Sequence, residues 1–375
     1  KVNMVNLNDK ITNENLNTMD MTHGTLWNKI LIFALPLAAS SILQQLFNSA
    51  DVAVVGRFAG DRALAAVGSC VALVGIFVNL LVGMSVGPNA ALATLIGQKK
   101  RERISGMLHT ILTFGVILGF LLMGIGMLCA KVVLEDSGTP QSVMSEALLY
   151  IRIYFISLPF MTIYNFGSAI LRSYGDSKRP MYYLLTSGIV NVILNLFLVI
   201  CFHLGVAGVA IATVISNVLS AALVIHHLRK RDDEFQFSFS RMHINKKELS
   251  KVLAIGIPAG IQGAIFSVSN VFIQSGINSF GEDAIAGSSL ALNFEYFTYD
   301  IAAAFAQAAV TFTSQNFGAG NLKRCKKVFW LCLLFGMGFT EILSIVFMIW
   351  DDFFVSIYTT SAGVAAFGLI RMHRV

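Results

Sequence analysis

The stretch from Lys29 to Gly60, KILIFALPLAASSILQQLFNSADVAVVGRFAG, decides the fold class. It is long and apolar enough to cross a hydrocarbon core of about 30 Å, yet it carries a carboxylate, Asp51, near its far end. An ionisable group in a spanning helix costs roughly 2.5–3.5 kcal/mol on insertion scales, so such groups face a bundle interior or a wet cavity and mark transport pathways. At about 100° per residue, Ser41, Gln44, Gln45, Asn48 and Asp51 fall within about a third of the helix circumference. One face is therefore polar and the other apolar. Pro36 lies inside the same span, where it removes a backbone hydrogen bond and permits a bend.

The whole chain repeats this character. Hydrophobic residues make up 55% of the 375 residues and charged ones 13%, and the mean hydropathy is +0.70. These values exclude an ordinary soluble domain and indicate an all-α polytopic membrane protein in contact with a lipid bilayer. Cys70, Cys129, Cys201, Cys325 and Cys332 lie in or beside apolar segments without metal-type spacing, and read as free thiols that fill space. The net charge of +6 reports orientation rather than a nucleic-acid partner.

Residues 1–28 are polar and rich in asparagine, with neither a basic leader into a short apolar core nor a small-residue cleavage site, so no cleaved signal peptide is expected in them. Nine apolar spans follow, at 29–57, 63–96, 105–134, 146–171, 180–202, 206–228, 250–279, 284–315 and 325–350. Alternate connections are basic: Lys99, Lys100, Arg101 and Arg103; Arg172, Lys178 and Arg179; Arg229 to Lys251; Lys323, Arg324, Lys326 and Lys327. The opposite set holds Arg57, Arg62 and Lys131 alongside acidic Asp61, Glu135, Asp136, Glu282, Asp283, Asp351 and Asp352, and only the connection between the first two spans blurs the pattern. The positive-inside rule then places the N-terminus in the cytoplasm.

The spans also repeat as a block. Pro36 recurs as Pro258, 222 positions on, and Asn48 then matches Asn270. GPNAALATLIGQKK around Asn89 is similar to AQAAVTFTSQNFGAG around Gln307, and ALLYIRIYF with Arg152 reappears as FGLIRMHRV with Arg371. Six spans return the chain to its starting side, so the expectation is two pseudo-symmetric six-helix lobes related by an axis along the membrane normal. The division is a cytoplasmic tail (1–28), an N-lobe of helices 1–6 (29–228), a cytoplasmic inter-lobe loop (229–249) and a partial C-lobe (250–375) holding helices 7–9 and the start of helix 10. On this reading about three further helices are missing from the chain.

DVAVVGRFAG with ALAAVG, LRSYGDSKRP (Leu171 to Pro180), GVAGVAIATVISN and QNFGAGN, in this order and on the expected membrane sides, resemble the multidrug and toxic compound extrusion (MATE) family of bacterial type. The resemblance runs from about Thr25 to the end. It implies a V-shaped fold around a central cavity, in the bacterial cytoplasmic membrane, and antiport in which Na⁺ or H⁺ entry drives efflux of organic, often cationic, compounds. It implies no cofactor beyond that coupling ion. It also implies an ion-coupling cluster at Asp51, Asn191, Asn195 and Thr213, positions whose oxygens suit a hard cation such as Na⁺. Many relatives have aspartate where Asn195 stands, which leaves one carboxylate fewer here and keeps protonation of Asp51 open.

A second set lies further along. Span seven has no carboxylate but a polar stripe of Ser267, Asn270, Gln274 and Asn278. Span eight carries Glu295 and Asp300 beside Tyr296 and Tyr299, and carboxylates next to aromatic rings suit lipophilic cations. The expected substrate cavity is Gln44, Asn48, Asn270, Gln274, Glu295 and Tyr299. Asp300 points about 140° away from Glu295.

Three functions compete on this sequence. A cation-coupled drug antiporter, working as a monomer, needs Asp51. A flippase for lipids or lipid-linked saccharides, with the same two-lobe architecture, needs a basic cavity. An intramembrane enzyme needs a convergent nucleophile and base, whereas the histidines sit mostly in loops and at helix ends. The chain also lacks GxxxxGK[ST], the phosphate-cradling loop of an ATP-driven pump. The antiporter is the leading reading, and no catalytic residue is expected.

Overall fold

A computed structural model describes residues 19–358 and 361–374, so the expected tail at 1–28 lies outside the described residues as far as residue 18. The elements are α1 (Leu26–Val54), α2 (Asp61–Met84), α3 (Val86–Gly97), α4 (Arg101–Asp136), α5 (Gln141–Phe155), α6 (Leu158–Ser173), α7 (Lys178–Leu196), α8 (Gly205–Arg229), α9 (Lys246–Asn278), α10 (Glu282–Gly318), α11 (Leu322–Ile349), α12 (Asp351–Tyr358) and α13 (Ala362–Met372). Two π-helical segments, Val55–Ala59 and Phe197–Cys201, extend α1 and α7. Among the described residues the regular structure is entirely helical.

Eight of the nine expected spans are long and apolar enough to cross a membrane, seven as single stretches and one as a bent pair. The bent pair is the expected span at 146–171: α5 and α6 meet at 42°. Pro159, the second residue of α6, has no N–H to bond back to Phe155, and Ile156 and Ser157 close tighter turns onto Ile153 and Tyr154 instead. Pro88 acts similarly on the Met84 carbonyl and divides the second span into α2 and α3 at Ser85. The ninth span, α10, runs for 37 residues but is too polar to pass as an apolar membrane helix. Asn293, Glu295 and Asp300 interrupt it, so it relies on helix neighbours rather than lipid.

Helices α1 to α8 pack into one bundle, through α1 on α7, α7 on α8, α2 on α5, α4 on α6 and α6 on α8. Helices α11 and α13 each pack on α10 to form a second group, which α9 joins along α10. The groups meet through related pairs, α1 with α10 and α9 with α2, and through α3 with α9 and α10. At this contact Asn89 Nδ2 donates to Thr311 Oγ1 at 2.8 Å, across the repeat interval of 222 residues. Backbones touch closely there. A Cβ on Gly97 would stand 1.9 Å from the Gln315 carbonyl oxygen, and one on Gly318 would stand 2.2 Å from that of Thr94. Without a hydrophobic drive between helices in lipid, such small-residue approach is what holds them.

Helices α2 and α9 also meet further along, where Ser267 lies between Asn79 and Gly75, whereas the contacts of α10 with α1 and α3 lie toward one end of the bundle, the end that carries Lys99, Arg103, Arg179 and Arg324. Met21, Ile30, Phe33, Ala34 and Leu37 form an apolar cluster there with Ala304, Phe305, Ala308 and Phe312. Around it, Gln315 Nε2 donates to the Ser173 carbonyl at 2.6 Å and Arg324 to the Met21 and His23 carbonyls at 3.2 and 2.9 Å. Arg103 pairs with the buried Glu248 at 3.0 Å. This basic end is closed.

Candidate functional site

Asp51 stands one turn before the π-helical end of α1, and Asn195 two residues before that of α7. The two helices approach this closely because Gly188 faces the Phe47 ring; a Cβ on Gly188 would lie 1.9 Å from it. Asn195 Nδ2 donates to Asp51 Oδ1 and, at 3.2 Å, to Asn191 Oδ1. Asn191 and Asn195 are both buried, and the Asn195 Oδ1 atom is buried without a hydrogen-bond partner. Tyr150 and Tyr154 of α5 stand within electrostatic reach of Asp51.

Three of the four expected ion-coupling residues are thus brought together. The fourth, Thr213, donates its hydroxyl to the Val209 carbonyl of its own helix at 3.0 Å. Among the described residues no group of three His, Cys, Asp or Glu side chains gathers to hold a metal ion. The oxygen set at Asp51, two amides and a carboxylate, is of the hard kind that takes an alkali cation or a proton rather than a transition metal.

The expected substrate residues occupy different surroundings. On α1 the face that is apolar at Ile30, Phe33, Ala34 and Leu37 becomes polar beyond them, with Gln44 and Asn48 exposed. On α9, Asn270 and Gln274 are half-buried, while Ser267, one turn earlier, is held between Asn79 Nδ2 and the Gly75 carbonyl at 2.7 and 3.1 Å. The Asn278 side chain lies outside the described residues. Tyr299 is half-exposed and stacks on Phe266 of α9, with ring centres 5.3 Å apart and planes at 11°. Glu295 requires a correction. It does not stand open to a ligand, because Arg371 of α13 donates to it through Nε at 2.5 Å and Nη2 at 2.9 Å, and Arg371 also bonds Ser288. The repeat had flagged Arg371 only as the counterpart of Arg152.

The MatE family model matches residues 36–197 and 258–372. The chain belongs to the MATE family. It is 31% identical over 345 residues to the probable multidrug resistance protein YoeA of Bacillus subtilis, a match covering 89% of this chain and 74% of that relative. The multidrug export protein MepA of Staphylococcus aureus is 23% identical over 340 residues, covering 90% of this chain and 75% of that one. Among solved structures, an outward-facing multidrug resistance MATE transporter superposes with a TM-score of 0.87 at 21% identity, over 94% of this chain and 79% of that one.

Several features of this MATE chain escaped the sequence reading. The π-helical ends of α1 and α7 touch each other beside Asp51 and Asn195. Each widens the helix by one residue per turn and re-aims the side chains around it, as at many functional sites. VGRFA holds Gly56 and Arg57 and FLVIC holds neither, so no shared signal in the two segments announces this. Near the basic end the LRSYGDSKRP motif forms a tight turn: Gly175 has φ of +99° and Asp176 accepts from the Arg179 backbone N–H at 3.1 Å.

Proposed function

We propose that this MATE transporter is a cation-coupled antiporter that exports small organic compounds, Na⁺ or H⁺ being the exchanged ion. The observation that supports it most is the Asp51–Asn195–Asn191 cluster. It is a half-buried carboxylate hydrogen-bonded to a buried pair of amides inside a membrane helix bundle, at the far end of the same polar face that leaves Gln44 and Asn48 exposed. One helix face therefore joins an ion-binding carboxylate to exposed amides that a substrate can reach, so occupancy of one can govern the other.

The mechanism follows from that arrangement. With the basic end closed by apolar and backbone contacts, the polar faces of α1, α9 and α10 are reached from the opposite end, and that end is extracellular under the positive-inside rule. A proton binds the Asp51 carboxylate directly. Na⁺ instead draws the Asn195 side chain around so that Oδ1, rather than the amide N–H, faces Asp51 and Asn191; the two orientations are nearly isosteric. Either event replaces the charge-assisted hydrogen bond that ties α1 to α7, by a weaker neutral one or by a cation bridge, and α1 then shifts relative to its bundle. The shift moves Phe33 against Phe312 and loosens the closed end, giving alternating access. One elementary charge crossing 100 mV is worth about 2.3 kcal/mol, enough to sustain a substrate gradient of a few tens-fold if exchange is electrogenic, since about 1.4 kcal/mol is tenfold.

The test uses the chain in proteoliposomes, recording efflux of a fluorescent organic cation under separately imposed Na⁺ and H⁺ gradients, for wild type and Asp51→Asn. Transport driven by one gradient and lost in the variant is expected, and identifies the ion. Gradient-driven transport that survives Asp51→Asn removes Asp51 from coupling.

A further inference from the structure

Helix α10 carries two carboxylates near its middle, and the structure separates their roles. Glu295 is neutralised by Arg371, and with Ser288 the pair fastens α13 to α10. Asp300 has no hydrogen bond or ion pair among the described residues, and Tyr296 and Tyr299 are within electrostatic reach of it. It is half-buried, so it is neither a solvated surface group nor a core residue. An intramembrane carboxylate without a partner is costly unless it faces a wet or ligand-bearing space.

The direction of Asp300 is fixed by its helix. Asn293, Gln307 and Thr311 lie seven and eleven residues away, within about 20° of it around the axis. Thr311 accepts from Asn89 of α3 at 2.8 Å, so this face of α10 looks toward the first bundle. At Thr311 the gap is closed. Asp300 lies about 16 Å further along the helix, beyond the apolar cluster. Helices α1 and α10 run antiparallel and meet at Phe33 and Phe312, whose ring centres are 5.6 Å apart. Counting outward by the same number of residues on each helix brings Asp300 level with Gln45, beside the exposed Gln44 and one turn below the exposed Asn48. One wall of the cleft there carries amides, and the other carries a carboxylate with Tyr296 on the same side and the Tyr299–Phe266 stack at its edge.

We propose that Asp300, not Glu295, is the residue that gives this cleft its preference for positively charged organic ligands, with the ligand's cationic centre at Asp300 and its aromatic body against the Tyr299–Phe266 stack. The inference rests on the export reading above and adds to it the residue and the charge class. A carboxylate beside π faces attracts a lipophilic cation through both charge and ring quadrupole, while the amides opposite tolerate varied shapes. Glu295 cannot serve in this way, because releasing it to a ligand would strand Arg371 beside α10.

The test compares two probes of nearly equal size and shape, 10-methylacridinium and uncharged acridine at pH 8. Binding is measured by fluorescence titration with the purified full chain in lipid nanodiscs. Wild type is expected to prefer the cation by at least tenfold. Asp300→Asn should bring the ratio close to one with acridine affinity unchanged, Asp300→Glu should restore it, and Glu295→Gln should lower thermal stability while keeping the ratio. A merely structural role for Asp300 would weaken both probes together, and that result overturns the proposal. So does a ratio that survives Asp300→Asn or collapses in Glu295→Gln. Absence of cation preference in wild type also overturns it but leaves export itself standing, since efflux in proteoliposomes is read separately.

Discussion

Replacing Gly97 by alanine tests whether backbone contact between the bundles closes the basic end. The added Cβ would sit 1.9 Å from the Gln315 carbonyl oxygen and 2.8 Å from its carbon, against ordinary contact of about 3.4 Å or more. Both are main-chain atoms in the last turn of α10, so no rotamer change relieves the clash. Helices α3 and α10 must separate by about 1.5 Å, which strips contact from Asn89–Thr311 and from the Phe33–Phe312 cluster. Overpacking of this kind costs about 1–3 kcal/mol, and at about 1.4 kcal/mol per tenfold it shifts the closed-to-open equilibrium by roughly five- to 140-fold. The assay is thermal unfolding followed with a thiol-reactive dye, after the exposed Cys129 and Cys201 are blocked, with the buried Cys70 and Cys332 reporting. Gly124→Ala is the control, since a Cβ there meets nothing within 4 Å; it should match or slightly exceed wild type through helix propensity. The combination Gly97→Ala with Gly318→Ala should cost less than the sum of the two, because one separation relieves both clashes. A Gly97→Ala protein as stable as Gly124→Ala would refute the close approach.

Other consequences are equally direct. Asn195→Asp adds a second carboxylate beside Asp51, and should raise Na⁺ affinity at least tenfold in equilibrium binding of radioactive Na⁺; unchanged affinity would place the ion elsewhere. Gly188→Val drives two methyl groups into the Phe47 ring and should abolish coupled transport while leaving the chain inserted in the membrane, as judged by expression against efflux. Arg371→Met strands Glu295, and Glu295→Gln strands Arg371, so each should destabilise by about 1–3 kcal/mol. The double variant should be more stable than either single in the same thermal assay. Arg103→Ala leaves Glu248, 4% exposed, with only the Lys251 contact at 3.2 Å, and should open the basic end to trypsin at Lys246 and Lys247.

How much of this was legible beforehand follows from what each signal encodes. Hydropathy reports whether a segment prefers lipid, so it placed the spans within a few residues, α10 included, although α10 is the most polar of them. It could not show that the span at 146–171 bends, because Pro159 reads alike as the start of a helix and as the break within one. The repeat matched Arg152 to Arg371 but could not say that only Arg371 meets a glutamate, since the positions of α2 that correspond to Glu295 are apolar.

The sequence by itself determined that the chain is a membrane helix bundle with an internal repeat and that its motifs are those of the MATE family. Those properties are written in composition, periodicity and motif order, each carried by residues near one another along the chain, whereas the grouping of Asp51 with Asn191 and Asn195 was only implied by the family resemblance. The tertiary structure alone decided which acid is engaged and which is open, that Thr213 turns back to its own helix, and that backbone contact at Gly97 and Gly318 closes one end. Helical periodicity fixes the direction of a side chain relative to its own axis. Which neighbour stands in that direction, and at what distance, depends on how helices far apart in sequence cross and settle against one another.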